Sequence, residues 1–318
     1  MRRRVHPQLP PWGAVGRVCP ICRAKHQNWC FRRNAGHTRP TTPPSGLRYR
    51  GFRRRENRTG AVVKAQTFFA RHPFFRRDEL VAAYEAVGSS ATSAKRALDY
   101  DAKTGVLLNV RQGVYMVNGP AFDAWLLPAK LHPEAVLAYD GAALMHGLAE
   151  LDHSVSDLAP RYVRPLWLGE VAFRSVVEPE TGDVVSRMGF VKNLVRDGHE
   201  VAVTTLERTI VDCFDDLDRA PPLEGLFDSL LARATLDVEA VAREALQRAG
   251  PAGCARVGLL LASRPERSEV RGQLAELERR SPRETTYATR DRAPGGYYAR
   301  RWHLQVPRAM SMQLRMAD

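Results

Sequence analysis

The stretch Val203–Phe214, VTTLERTIVDCF, gathers Thr204, Glu207, Arg208, Thr209 and Asp212 inside an otherwise apolar run. Such a string reads either as a catalytic constellation or as a strand running into a helix. Its spacing favours the helix. Thr204 precedes Glu207 by three residues, the capping-box interval that satisfies free amides of a first helical turn. Leu206, Ile210, Cys213, Phe214 and Leu217 recur at helical intervals on one face. Arg208 and Asp212 stand four apart, the spacing of a helical ion pair worth roughly 0.2–0.5 kcal/mol when exposed. Upstream, HEVAVTT alternates as a strand that feeds this helix.

Working outward, residues 119–218 mix strand and helix patterns. LHPEAVLAYDGAALMHGLAE reads as one helix, with Ala138, Ala142, Leu144, Met145 and Leu148 on its apolar face and His146 as a packed or capping residue. RYVRPLWLG, VAFRSVVEPE and DVVSRMGFVKNLV read as strands. Beyond Asp218 come four helical patterns, PLEGLFDSLLARA, LDVEAVAREALQRA, PAGCARVGLLLAS and SEVRGQLAELERR, separated by Pro, Gly or Asp. YYARRWHLQV closes the chain as one more strand. The fold class expected is α+β, with residues 219–318 a helical array plus closing strand.

Residues 61–118 follow a different plan. AVVKAQTFFARH forms a helix that Pro73 ends, since proline cannot continue the hydrogen-bond ladder. FFRRDELVAAYEAV gives a second helix, and SSATSAKRALDYDAKTG a third, capped by Ser89 or Ser90. VLLNVRQGVYMV is a hairpin turning at Arg111-Gln112-Gly113. Three helices and a hairpin in this order predict a winged helix-turn-helix, whose third helix enters the major groove. Thr92, Ser93, Lys95 and Arg96 then face outward as DNA contacts, with Arg111 at the wing. Residues 62–118 hold eight basic and five acidic side chains, so charge alone leaves protein contact open as a second use.

The formal net charge of +13 lies in the first sixty residues. They carry 15 Arg or Lys and one acid, against 33 basic and 34 acidic residues in the other 258. That segment reads as a disordered basic extension or as sequence upstream of the true start. Arg outnumbers Lys by 42 to 6, a bias that a GC-rich genome also produces. Cys19, Cys22 and Cys30 with His37 or His26 are weak candidates for a zinc knuckle, because the second ligand pair is irregular. Cys213 and Cys254 read as buried thiols. No apolar run reaches the roughly 20 residues of a membrane span, so the expected location is the cytoplasm. No Walker loop, G-x-S-x-G elbow or H-E-x-x-H motif occurs, and no cofactor is expected. The enzymatic alternative is a metal-dependent nuclease-like protein using Glu207 and Asp212.

FFRRDEL, RQGVYMV, VLAYDGAALMHGLA, VTTLERTIVDCF and YYARRWHL together resemble the AbiEi family of bacterial antitoxins and transcriptional regulators. The resemblance spans roughly residues 62–306, and the E-R-T-x-x-D core is its most specific part. It implies a winged helix that binds inverted repeats upstream of its own operon, with Thr92, Ser93, Lys95, Arg96 and Arg111 carrying the contacts. It also implies a C-terminal domain that counteracts a nucleotidyltransferase-like toxin, as part of phage defence. In that setting Thr204, Glu207, Arg208, Thr209 and Asp212 are structural or partner-contacting. The basic extension of residues 1–60 departs from the family pattern.

Overall fold

A computed structural model describes residues 65–119, 123–150, 153–178, 190–196, 198–290 and 296–310. Cys19, Cys22, Cys30, His26 and His37 lie outside the described residues.

The first elements are α1 (Ala65–Arg71), β1 (Phe74–Arg76), α2 (Arg77–Glu85), α3 (Ala91–Lys103), β2 (Leu107–Arg111) and β3 (Val114–Val117). Pro73 ends α1, as expected, but Phe74 and Phe75 form a strand and not the start of the second helix. The reason is that they are buried on opposite faces. Phe74 packs with Val114 and Met116, whereas Phe75 packs with Phe68, Phe69, Leu80, Leu98 and Leu107. Alternate burial is a strand property. β1 therefore pairs antiparallel with β3, and the small sheet has the order β1-β3-β2. Ser90 caps α3 by accepting from the Ser93 amide at 3.2 Å.

The central sheet has six strands in the order β6-β7-β5-β4-β9-β8. These are β4 (Val136–Ala138), β5 (Ser154–Ala159), β6 (Leu166–Leu168), β7 (Val171–Val177), β8 (Val191–Arg196) and β9 (His199–Thr204). Contacts β4–β9 and β5–β7 are parallel and the others antiparallel. The single helix expected across LHPEAVLAYDGAALMHGLAE is corrected to strand β4 followed by α5 (Tyr139–Met145). The chain turns at Tyr139, whose φ of 50° lies in the left-handed region. β4 is buried on both faces, so its apolar run gave no period by which to separate strand from helix. RYVRPLWLG is a strand only over Leu166–Leu168.

Trp125, Leu126 and Leu127, which begin α4 (Leu127–Leu131) and the single 3₁₀ turn before it, fill the space between the two sheets. They share one core with Phe74, Val114 and Met116 of the small sheet and Leu137, Val155, Phe173, Val201 and Val203 of the large one. The small sheet is thus apolar on both faces, one toward its own helices and one toward the body.

The helical part comprises α6 (Leu206–Asp215), α7 (Leu223–Ala232), α8 (Val238–Arg248), α9 (Pro251–Ala262) and α10 (Arg271–Arg280). α9 is its centre, buried without interruption from Gly253 to Leu261. Two buried arginines in this region donate to backbone carbonyls, including ones in the last turns of α6 and α7. Arg256 donates to Phe214 O at 2.8 Å and to Tyr287 O, and Arg264 donates to Leu230 O at 2.6 Å and Arg233 O. The final stretch is corrected from one strand to two, β11 (Gly296–Ala299) and β12 (Leu304–Pro307), joined by a turn with His303 at φ 51°. With β10 (Thr286–Tyr287) they form a third sheet. The described chain is mixed α+β.

Candidate functional site

The outer face of α3 follows from its sequence. Ala94 and Leu98, four apart, are buried, and this fixes the opposite positions in solvent. Thr92, Ser93, Lys95 and Arg96 are all exposed, at the helix end capped by Ser90. Tyr100, one turn beyond Arg96, is 68% exposed, a position the sequence reading passed over. Among the described residues neither Lys95 nor Arg96 meets a carboxylate. Arg111 sits at the hairpin turn but is half-buried, and its Nη2 donates to Arg164 O at 2.6 Å. Its guanidinium has five N–H donors, so most remain for another acceptor.

The VTTLERTIVDCF motif lies elsewhere, where β9 passes into α6. Its cap is Thr205 and not Thr204: Thr205 Oγ1 accepts from the Arg208 amide at 3.3 Å. Thr204 is the last strand residue, and its buried hydroxyl lies 2.8 Å from that of Thr209. Thr209 donates its single proton to Thr205 O at 2.7 Å, so Thr204 is the donor to Thr209. His146 lies 2.7 Å from Thr204 O through Nε2, which fixes the end of α5 against β9. Burial holds this imidazole below its ordinary pKa, in the neutral form that can donate to a carbonyl.

The Arg208–Asp212 pair is also corrected, from surface to interior. Arg208 is 5% exposed and Asp212 7%. Nε of Arg208 donates to Asp212 Oδ1 at 2.6 Å, and its other nitrogens face Glu178 at 3.5 Å and Glu244 at 3.8 Å. Arg248 pairs with Glu244 at 3.1 Å, and both arginines lie over the Phe190 ring. This cluster ties α6 to α8 and to the end of β7. Burial raises the Asp212 carboxyl to about 6, although Arg208 pulls the other way. Glu207 is five residues before Asp212, about 140° around the helix, so the two carboxylates do not converge. No three His, Cys, Asp or Glu among the described residues stand as a metal-ligating set.

The comparisons place the fold. The chain is similar to the Rv2827c protein of Mycobacterium tuberculosis. The two share 17% identity with a TM-score of 0.52, over 80% of this chain and 92% of that one. At that identity the likeness concerns architecture alone. No protein-family model and no curated protein matches the chain. No helix among the described residues is long and apolar enough to cross a membrane.

Three further features escaped the sequence reading. Asp140 is buried at the start of α5 and accepts from the Gly141 and Ser156 amides at 2.7 and 2.6 Å and from the Ser154 hydroxyl. It joins α5 to β5. Asp157, also on β5, accepts from the Ser175 hydroxyl at 3.1 Å, and burial raises its carboxyl to about 7. The third is the loop Pro160–Pro165, where Arg161, Tyr162 and Arg164 are exposed beside the hairpin turn. Two prolines flanking Arg-Tyr-Val-Arg were the available signal, since such a run favours a loop over a strand. A groove of about 1270 Å³ runs between α5, β8 and α7. Leu144, Met145, Leu148, Leu194 and Leu226 make its walls mainly apolar, with Glu150 and Arg196 as its charged members.

Proposed function

We propose that this chain is a DNA-binding transcriptional autorepressor and an antitoxin that counteracts a nucleotidyltransferase-like toxin. In this reading α1, α2, α3 and the β2–β3 hairpin are a winged helix-turn-helix, with α3 the recognition helix. The observation that carries it is the outer face of α3. Two hydroxyls and two cations stand exposed at its capped end, on a helix anchored from behind by Ala94 and Leu98. Hydroxyls and cations so placed suit base edges and phosphates in the major groove. The antitoxin half rests on the resemblance of VTTLERTIVDCF and its companion motifs to the AbiEi family. The buried position of Arg208 and Asp212 supports a structural use of that motif.

The test is a footprint on DNA immediately upstream of the protein's own coding sequence. Binding is expected to fall steeply with salt, as counterion release requires. Arg96→Ala is expected to weaken it by about 1–3 kcal/mol. No binding to that DNA at low salt overturns the reading. The alternative of a metal-dependent nuclease using Glu207 and Asp212 has less support, because Arg208 already occupies Asp212 and Glu207 points elsewhere on the helix. The remaining alternative, a protein-binding adaptor, predicts no footprint at all.

A further inference from the structure

Resting on the DNA-binding reading above, we infer that the body contributes a second DNA contact of its own: the loop Pro160–Pro165, through Arg161, Tyr162 and Arg164, grips the sugar-phosphate backbone beside the hairpin.

The loop and the hairpin turn are joined directly, since Arg111 donates to the backbone oxygen of Arg164 at 2.6 Å. This bond uses the Arg164 main chain and leaves its guanidinium with no partner among the described residues. Arg161 is held through Nε, 3.3 Å from His132 Nε2, while the rest of its guanidinium is exposed. The charge of Arg76, at the end of β1, reaches the same imidazole. Burial together with Arg161 and Arg76 outweighs the opposing pull of Glu134 and keeps His132 below its ordinary pKa. Four arginines, 76, 111, 161 and 164, therefore crowd one edge of the molecule. The carboxylates nearby are Asp78, 3.7 Å from Arg76, Glu79, which accepts from the Arg76 amide at 2.6 Å and pairs with Lys130, and Glu134, 4.0 Å from His132.

Several arginines elsewhere are paired with acids. Arg208, Arg248, Arg264, Arg280 and Arg301, all in the helical part or the third sheet, meet carboxylates at 2.6–3.1 Å. Among the described residues, the side chain of Arg111 meets a carbonyl, that of Arg161 an imidazole, and that of Arg164 no partner. Like charges held together cost the isolated protein and are repaid by a polyanion. Tyr162, 71% exposed between the two loop arginines, adds a phenol able to donate to a phosphate oxygen. Prolines at both ends restrict the loop and reduce the entropy lost on contact. Backbone contacts of this kind carry no sequence information but fix where α3 meets the groove.

The experiment titrates full-length protein with two duplexes of equal length, one from upstream of its own coding sequence and one of random sequence, over a range of salt. Arg164→Ala and Arg161→Ala/Arg164→Ala are compared with wild type and Arg96→Ala, with melting curves to verify folding. Arg164→Ala leaves the bond from Arg111 intact, because that bond ends on the main chain. The slope of log affinity against log salt is expected to fall by about one per arginine removed. Affinity for both duplexes is expected to fall by the same factor. Unchanged slope and affinity in the double variant, with Arg96→Ala weakened, overturn the loop contact and leave the DNA-binding reading standing. Absence of binding by wild type overturns that reading and the loop contact with it.

Discussion

Replacing Arg208 by methionine tests the interior cluster most directly. Methionine keeps an unbranched apolar stem while the charge disappears, leaving Asp212 buried and unpaired with Glu178 and Glu244 close by. Removing one partner of a buried pair costs about 3–5 kcal/mol, a large share of the roughly 5–15 kcal/mol that holds a domain together. The pH dependence gives the sharper test. The Asp212 carboxyl is raised to about 6 in the folded protein against 3.8 when free, and losing Arg208 raises it further. A carboxyl raised by folding penalises the folded state fully above its folded pKa, and the penalty fades as pH falls toward the unfolded value. At pH 8 the variant therefore bears the whole loss. At pH 5 the carboxyl is already mostly protonated in both folded proteins, and its share of the loss disappears. Urea unfolding followed by circular dichroism at the two pH values measures the difference. A loss below about 1 kcal/mol at pH 8, or an equal loss at both, refutes the reasoning. Arg208→Met combined with Asp212→Leu is expected to recover much of the loss, since an apolar pair of similar volume replaces a buried ion pair at little cost.

Two other substitutions test different parts of the fold. Asp157→Asn should flatten the pH dependence of stability: the wild-type carboxyl, raised to about 7, makes the protein lose stability as pH rises from 3.8 to that value, by on the order of 4 kcal/mol. Urea midpoints at pH 5 and 8 should differ less in the variant than in wild type. Gly258→Ala places a Cβ 2.2 Å from the Trp302 ring and should destabilise by about 1–3 kcal/mol with a changed tryptophan emission. Gly272→Ala, with nothing within 4 Å, should instead hold or raise the melting temperature.

Much of this architecture was written in periodicity. α3 could be read because Ala94 and Leu98 set a helical phase and Ser90 offers a cap. The helices from α7 to α10 were equally legible, since turn-forming residues separate them. Three errors share a physical cause, which is burial on more than one side. Phe74 and Phe75 face two cores, so adjacent aromatics looked like a helix end. β4 is apolar on both faces and merged with α5 across Tyr139, a residue that gives no warning of a left-handed turn. Arg208 and Asp212 looked like a surface pair because their spacing is identical whether or not α8 covers them. The cap was misplaced by one residue because consecutive threonines offer the same hydroxyl, and only the length of β9 decides between them.

The double-sided small sheet has a consequence for how the molecule can be taken apart. A segment cut after residue 119 would carry away β1 and β3 with Phe74, Val114 and Met116 turned to water, and would strip Trp125 of its cover. The N-terminal elements are therefore not a cassette to be transplanted on a linker. They and the body share a wall, so α3 takes its place relative to the body when the chain folds.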